Sequence, residues 1–390
     1  MAKWQNWSGR HATRDAELHF IRSEADAIAL VTRCASERKS LRVAGTGHSH
    51  APVAVNHEVM VDSSGLTGVL DVDTANRQAW IRAGSPIYSL GGQLHAHGQA
   101  LRNQGDIDRQ LLAGTVSTGT HGTGKDLQNI SASVIDLSII TADGDHIENC
   151  AASEPELFEA ARVGLGSVGF ITRIRMQLRD ACVLKEKSWQ ADYDDFARDI
   201  PALVDGHDRF EFFWYPQSDT ATIKTIAETS EPPVYPLAEE GSRQAWSYEV
   251  LPSHRPHLHT EMEYSVPAES GPDCLADIRQ LLQTQFKGVS WPVEYRTVAA
   301  DDIWLSMASG RPTVTISVHQ DIREGDEPYF RACEEVFLQY GGRPHWGKVN
   351  YLTSGDFAEL YPHWEKWWQI RENHDPHRIF LNPWARRLAP

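Results

Sequence analysis

Along the first 180 residues, apolar positions come in short bursts separated by glycine, a pattern of brief strands and turns rather than long helices. His19-Phe20-Ile21-Arg22 predicts a strand. Ser23 then stands as a helix N-cap with Asp26 three residues on, and Ile28, Val31 and Cys34 follow at helical spacing, so the segment predicts a β–α unit. Leu41-Arg42-Val43-Ala44 predicts the next strand, and Val59–Asp62 and Gln78–Ala83 predict two more. Ser153-Glu154-Pro155-Glu156 predicts a capping box with proline in the first turn of a helix that continues through Leu157, Phe158 and Ala161. From about residue 185 the pattern changes. Strands are predicted at Phe210–Tyr215, Glu261–Tyr264, Val293–Arg296 and Val314–His319, with helices over 273–286 and 326–340, which together predict an antiparallel sheet flanked by helices. The stretch from Ala227 to Gln244 reads as an exposed loop, and the tryptophan-rich last forty residues read as packed structure.

Of the 390 residues, 41% are hydrophobic and 23% charged, enough apolar material for about two globular domains. Lys and Arg number 37 against 53 Asp and Glu, a net charge of −16 that repels phosphate backbones and anionic membranes and argues against nucleic acid as a partner. The first ten residues lack an apolar signal core, and no segment approaches the ~20 apolar residues of a membrane span, so a soluble, cytoplasmic protein is expected. Cys34, Cys150, Cys182, Cys274 and Cys333 are scattered without a C-x-x-C pair and read as free thiols.

Gly164-Leu165-Gly166-Ser167-Val168-Gly169 matches G-x-G-x-x-G in form. A dinucleotide fingerprint must follow a strand and open a helix, whereas here a helix precedes and a strand follows, so a nicotinamide-binding Rossmann site is not expected. Two other segments carry more information: Gly45-Thr46-Gly47-His48-Ser49 directly after a strand, and the run from Gly114 to Gly124. Successive glycines let backbone N–H groups converge on an anion, and the interleaved hydroxyls add donors.

These segments resemble the flavin domain of the vanillyl-alcohol oxidase superfamily, in which paired loops hold an extended FAD. The resemblance is to the branch of aldonolactone and alditol oxidases: G-x-G-H-S at 45–49, T-G-T-H-G-[ST]-G at 118–124, and His345-Trp346-Gly347-Lys348 matching H-W-[AG]-K. It implies an α+β, two-domain FAD-linked oxidase fold, with a PCMH-type FAD-binding domain over 1–180, a cap with an antiparallel sheet over 181–350, and a segment over 351–390 that returns to the first domain. It implies FAD attached covalently through His48, with His50 as the competing attachment point. The implied cofactor contacts are Ala44, Gly45, Thr46, Gly47, His48, Ser49, Gly105, Gly114, Ser117, Thr118, Gly119, Thr120, His121, Gly122, Gly166, Gly169, Ile171 and Lys348.

Strand alternation puts Glu294 and Arg296 on one face, and Thr315, Ser317 and His319 on one face of the next strand, so covering helices leave these polar residues to line a cavity. By the resemblance, Glu294, Arg296, His319 and Lys348 form the substrate pocket. Lys348 stabilises the negative charge of the reduced flavin, Arg296 and Glu294 bind substrate oxygens, and His319, Glu294 or Lys348 takes the hydroxyl proton. Asp106 stands where alditol oxidases carry serine and brings an acid to the pocket, and residues 223–250 are short for the family. The implied reaction is FAD-dependent oxidation of a CH–OH group of an aldono-1,4-lactone, with dioxygen as acceptor and hydrogen peroxide as product. An alditol oxidase, or a lactone dehydrogenase using another acceptor, is the alternative. In this branch a glycine before the second loop, here Gly105, goes with oxygen reactivity. The pairs His48-x-His50 and His95-x-His97 and the triplet His254, His257 and His259 match no metal motif, so no metal is expected and these histidines read as surface residues.

Overall fold

The computed structural model describes residues 4–390. Ser23 caps the helix Glu24–Glu37 as its sequence requires: its hydroxyl accepts from the Asp26 N–H while the Asp26 carboxylate accepts from the Ser23 N–H. The helix turns Ala27, Leu30, Val31 and Cys34 onto a three-stranded parallel sheet in which Val59–Asp62 lies between Glu17–Phe20 and Leu41–Ala44. Parallel strands need such a crossover, and the third carries the chain into the loop at 45–49.

A six-stranded antiparallel sheet is built around the long strand Phe170–Asp180. It pairs with Val134–Ile140 on one side and with Gln78–Arg82 on the other, and its far end, residues 178–180, pairs with Gln99–Leu101. The glycine run at 164–169 joins the helix Pro155–Arg162 to this strand, the helix-then-strand context expected of it. A Cβ on Gly169 would lie 2.8 Å from Ile139, so only glycine lets the strand start there. The capping box expected at Ser153 does not form. Ser153 ends a separate turn, Cys150–Ser153, and its hydroxyl donates back to the Asn149 carbonyl instead of facing the next helix.

Residues 183–344 contribute an eight-stranded antiparallel sheet, in the order 244–246, 183–192, 220–229, 209–215, 293–298, 313–321, 259–267 and 343–344. The four strands expected in this half are all present, and the two expected helices are Gly271–Gln285 and Glu327–Gln339. These helices cover Trp214, Met262, Tyr264, Tyr295 and Ile316 on one face. The opposite face carries Glu186, Glu211, Lys224, Glu261, Glu263, Glu294, Arg296, Ser317 and His319, all buried, so it faces protein and not solvent.

The tryptophan-rich tail packs. Trp364, Trp367 and Trp368 join the same apolar cluster as Leu157, Ile171 and Ile174, and the Trp367 indole donates to the Ala160 carbonyl at 2.9 Å. Further on, the Leu41 N–H donates to the Ile379 carbonyl and Arg42 to the Phe380 carbonyl, so the tail completes the strand that leads into the first glycine loop. The Arg42 guanidinium has no carboxylate partner. Its donors go to the Val53, Leu165, Gly166 and Phe380 carbonyls and the Ser167 hydroxyl, and burial with Arg371 nearby lowers it to about 9. Among the described residues, no helix is long and apolar enough to cross a membrane.

Candidate active site

The two glycine segments form one side of a cleft whose empty volume is about 1390 Å³. The first loop leaves its strand at Ala44, passes Gly47 with φ +73°, and is braced by the Thr46 hydroxyl on the Arg109 carbonyl and the Trp7 N–H on the Gly47 carbonyl. The N–H groups of Thr46, Gly47, His48 and Ser49 donate to no acceptor among the described residues. Free convergent amides beside glycines form an anion cradle. The second loop follows the helix Leu112–Thr118, which Gly119 ends at φ +71°. A Cβ on Gly122 would lie 2.3 Å from the Gln104 carbonyl oxygen, so that glycine allows the loop to press against the 103–106 segment. Beyond it, Thr123 donates to the Phe210 carbonyl and the Gly124 N–H to the Thr297 carbonyl, fastening the loop to the eight-stranded sheet.

Of the expected cofactor contacts, Gly45 to Ser49, Gly105, Gly114, Ser117, Thr118, Thr120, His121, Gly166, Gly169, Ile171 and Lys348 line the cleft. Ala44, Gly119 and Gly122 do not. Ala44 is the buried end of a strand, Gly119 packs on Met307, and Gly122 faces Gln104. Open amides, seven cleft-lining glycines at 45, 47, 105, 114, 166, 169 and 347, and an open cleft suit an extended dinucleotide with a pyrophosphate, so these residues fit FAD. His48 lines the cleft, and neither of its ring nitrogens has a hydrogen-bond partner among the described residues. Burial, with Lys348 and Arg109 adding, lowers it to about 4, so the imidazole is neutral at physiological pH.

The opposite wall comes from the polar face of the eight-stranded sheet. Arg296 stands among three carboxylates: its Nε donates to Glu211 at 3.0 Å, and its terminal nitrogen lies 2.5 Å from Glu294 and 3.2 Å from Asp106. Arg255 donates twice to Asp106, at 3.0 and 3.1 Å, and Lys224 contacts Glu211 at 2.5 Å. Burial alone would raise Asp106, but Arg296 and Arg255 hold its carboxyl well below the ordinary range. Glu294 differs. Burial, opposed by Arg296 and reinforced by Asp106 and Glu211, pushes it up to about 8, so it carries a proton at neutral pH. The acid that Asp106 was expected to add to the pocket is thus fully ion-paired.

Arg296 and Lys348 reach the cleft; Glu294 and His319 stand behind it. His319 donates from Nδ1 to the Pro292 carbonyl at 2.8 Å, which leaves the lone pair on Nε2, 3.7 Å from Glu261. Lys348 donates to the other oxygen of Glu261. His121 donates from Nδ1 to the Gly122 carbonyl at 2.8 Å, and its Nε2 is 2.7 Å from Glu263, whose second oxygen accepts from Ser317 at 2.9 Å. The ring of His345 accepts the Gly347 N–H at Nδ1, so its Nε2 carries the proton. Glu261, Glu263, Glu211 and Arg255 were missed as site residues. The first three alternate with Met262, Tyr264, Phe210 and Phe212 along their strands, so the rule that marked Glu294 and Arg296 also marks them. Arg255 lies in a loop and carries no such signal. The surface reading of the paired histidines fails for His50, which is buried, and holds for His97, His254 and His257.

A family model described as D-arabinono-1,4-lactone oxidase matches residues 174–251 and 234–388. L-gulono-1,4-lactone dehydrogenase of Mycobacterium tuberculosis is 33% identical, over 99% of this chain and 98% of its own length. The chain belongs to the D-arabinono-1,4-lactone oxidase family. A second model, described as FAD binding domain, matches residues 18–149, which hold both glycine loops. L-gulonolactone oxidase of Bos taurus is 26% identical over the same shares of the two chains. Among solved structures, a solvent-stable cholesterol oxidase superposes with a TM-score of 0.86 at 17% identity over 99% of this chain and 97% of its own. The 6-hydroxy-D-nicotine oxidase of Arthrobacter nicotinovorans gives 0.75 at 16% over 96% and 93%. These two likenesses show the fold, an α+β architecture in two parts, and the FAD binding domain model places the FAD-binding part over the first of them.

The protonation of Glu294 sets a pH dependence for this family member. Its folded value of about 8 exceeds the ordinary 4.5, so the folded state binds this proton more tightly, and the stabilisation is complete at low pH and lost as pH rises through 8. Melting temperature is therefore expected to fall between about pH 4.5 and pH 8 and to level off above, and Glu294→Gln, which cannot ionise, to flatten that fall. Parallel pH profiles for the two proteins would contradict the assignment.

Proposed function

We propose that this protein is an FAD-dependent aldonolactone oxidoreductase that oxidises a CH–OH group of an aldono-1,4-lactone to a carbonyl. The observation that carries this reading is the pairing of walls: free amides and neutral His48 on one side of the cleft, Arg296 and Lys348 on the other. The relatives named for L-gulonolactones support the substrate class. When bound, FAD supplies the acceptor for the electron pair that leaves the substrate carbon.

The residues divide the remaining work. Burial opposes the charge of Lys348, but Glu261 and Glu263 outweigh it and keep the ammonium protonated, a fixed cation on the cleft wall for charge that develops there. Arg296 is held in one orientation by its carboxylates and offers donors to lactone oxygens, while Glu294, carrying its proton, can donate as well as accept. Of the three groups considered for the hydroxyl proton, Glu294 and Lys348 already hold one. His319, lowered to about 4 by burial, is neutral with its lone pair on Nε2, and it connects to the cleft through Glu261. We assign it the proton, held at Nε2.

Anaerobic addition of L-gulono- or D-arabinono-1,4-lactone is expected to bleach the yellow protein, and Lys348→Met to slow the bleaching on the order of 10²-fold while leaving the fold intact. A full colour with every aldonolactone would remove the reading. His48 is the proposed covalent attachment point, because a neutral imidazole with an unengaged lone pair is a nucleophile. Acid precipitation of the wild type should carry flavin into the pellet, whereas His48→Ala should release it; yellow wild-type supernatant would refute the tether. Dioxygen is the proposed acceptor, since Gly105 leaves its position on the cleft wall free of side chain. A Cβ there would stand 3.1 Å from the His121 carbonyl oxygen. Stopped-flow reoxidation by air-saturated buffer should slow in Gly105→Ala with the reductive step unchanged, and a wild type that reoxidises only with an artificial acceptor would make the protein a dehydrogenase.

A further inference from the structure

We propose that His50, His259 and Glu261 form a binding site for a divalent transition-metal ion of the zinc, cobalt or nickel type, beside Lys348. The Glu261 carboxylate is approached by Nε2 of His50 at 3.4 Å and Nε2 of His259 at 3.7 Å, and one ligand atom from each of the three residues lies within 4.8 Å of the others. A tetrahedral metal with bonds of about 2.0–2.2 Å holds its ligand atoms about 3.3–3.6 Å apart, so the donors already stand near bonding positions.

The orientation of the rings supports the same reading. His259 donates from Nδ1 to the His257 carbonyl at 3.0 Å, the outer contact that fixes a metal-binding histidine, and this turns Nε2 toward Glu261. His50 is buried, its Nε2 faces Glu261 at 3.4 Å, and its Nδ1 has no hydrogen-bond partner among the described residues. Two imidazoles and one carboxylate suit a borderline transition metal rather than Mg²⁺ or Ca²⁺, which take oxygen ligands. Trp7 and Trp291, with ring centroids 5.2 Å from that of His259, wall the site, and the partial exposure of His259 gives an entry path.

One group opposes the metal. Lys348 donates to the same Glu261 oxygen that the two histidines approach, so the ion and the ammonium compete for it. His319 contacts the other Glu261 oxygen and is not part of the set.

The test uses the full-length flavin-loaded protein, stripped with a chelator and titrated with Co(II). Saturation at one equivalent is expected, with a d–d band of four-coordinate intensity to the red of the flavin absorption, abolished by one equivalent of Zn(II). His259→Ala should weaken binding by on the order of 100-fold or more, and Lys348→Met should strengthen it roughly tenfold by removing the competitor, while His97→Ala at an exposed position changes nothing. In the wild type, Zn(II) should also protect His259 from acylation, read by peptide mass. Absence of saturable binding, unchanged binding in His259→Ala, or acylation of His259 indifferent to Zn(II) would each overturn the proposal.

Discussion

The guanidinium of Arg296 is buried against Glu211, Glu294 and Asp106, and the rest of the cap-side wall is arranged around that burial. An unpaired cation in this position would cost several kcal/mol, and here, unlike at Arg42, carboxylates supply the partners. Three of them around one guanidinium overshoot. Arg255 on Asp106 and Lys224 on Glu211 bring the cations level with the carboxylates at three each, and burial, reinforced by Asp106 and Glu211, keeps the proton on Glu294. A neutral acid and a charged arginine side by side are therefore two outcomes of one electrostatic requirement.

Asp106 belongs to the segment beside the glycine loops, whereas Arg296 belongs to the sheet, so this ion pair crosses the cleft. His121 on Glu263, Thr123 on the Phe210 carbonyl and Gly124 on the Thr297 carbonyl cross in the same direction. The two walls are held in register by polar contacts excluded from water, which are stronger and more directional than contacts across an open groove. A cofactor lying between them meets a gap of fixed width.

Much of this was legible in the chain, and the parts that were not share a cause. The capped helix 24–37, the glycine loops and the polar faces of 293–298 and 313–321 rest on short-range rules: a capping box, a missing Cβ, alternation by two. The strands Val183–Asp192 and Thr220–Thr229 escaped notice, although they pair over ten residues, because Lys185, Lys187, Thr222 and Lys224 break any apolar run. Ser153 looked like a cap and was not, since a hydroxyl can turn back to the preceding carbonyl as readily as forward. The buried condition of His50 and the meeting of Arg255 with Asp106 depend on partners 211 and 149 positions away, respectively, beyond any local pattern.

The first glycine loop also depends on the far end of the chain. Leu41 pairs with Ile379, Arg42 donates to the Phe380 carbonyl, and Asn382 donates to the carbonyls of Pro52, Val53 and Val55 immediately behind the loop. Synthesis runs from the amino terminus, so the loop emerges from the ribosome more than three hundred residues before the segment that braces it. The helix and its strands rest largely on contacts near in sequence, but the anion cradle takes its final shape only once residues 379–382 have docked behind it. The cofactor trough and the far end of the chain are in this sense one folding unit, closed across more than three hundred residues.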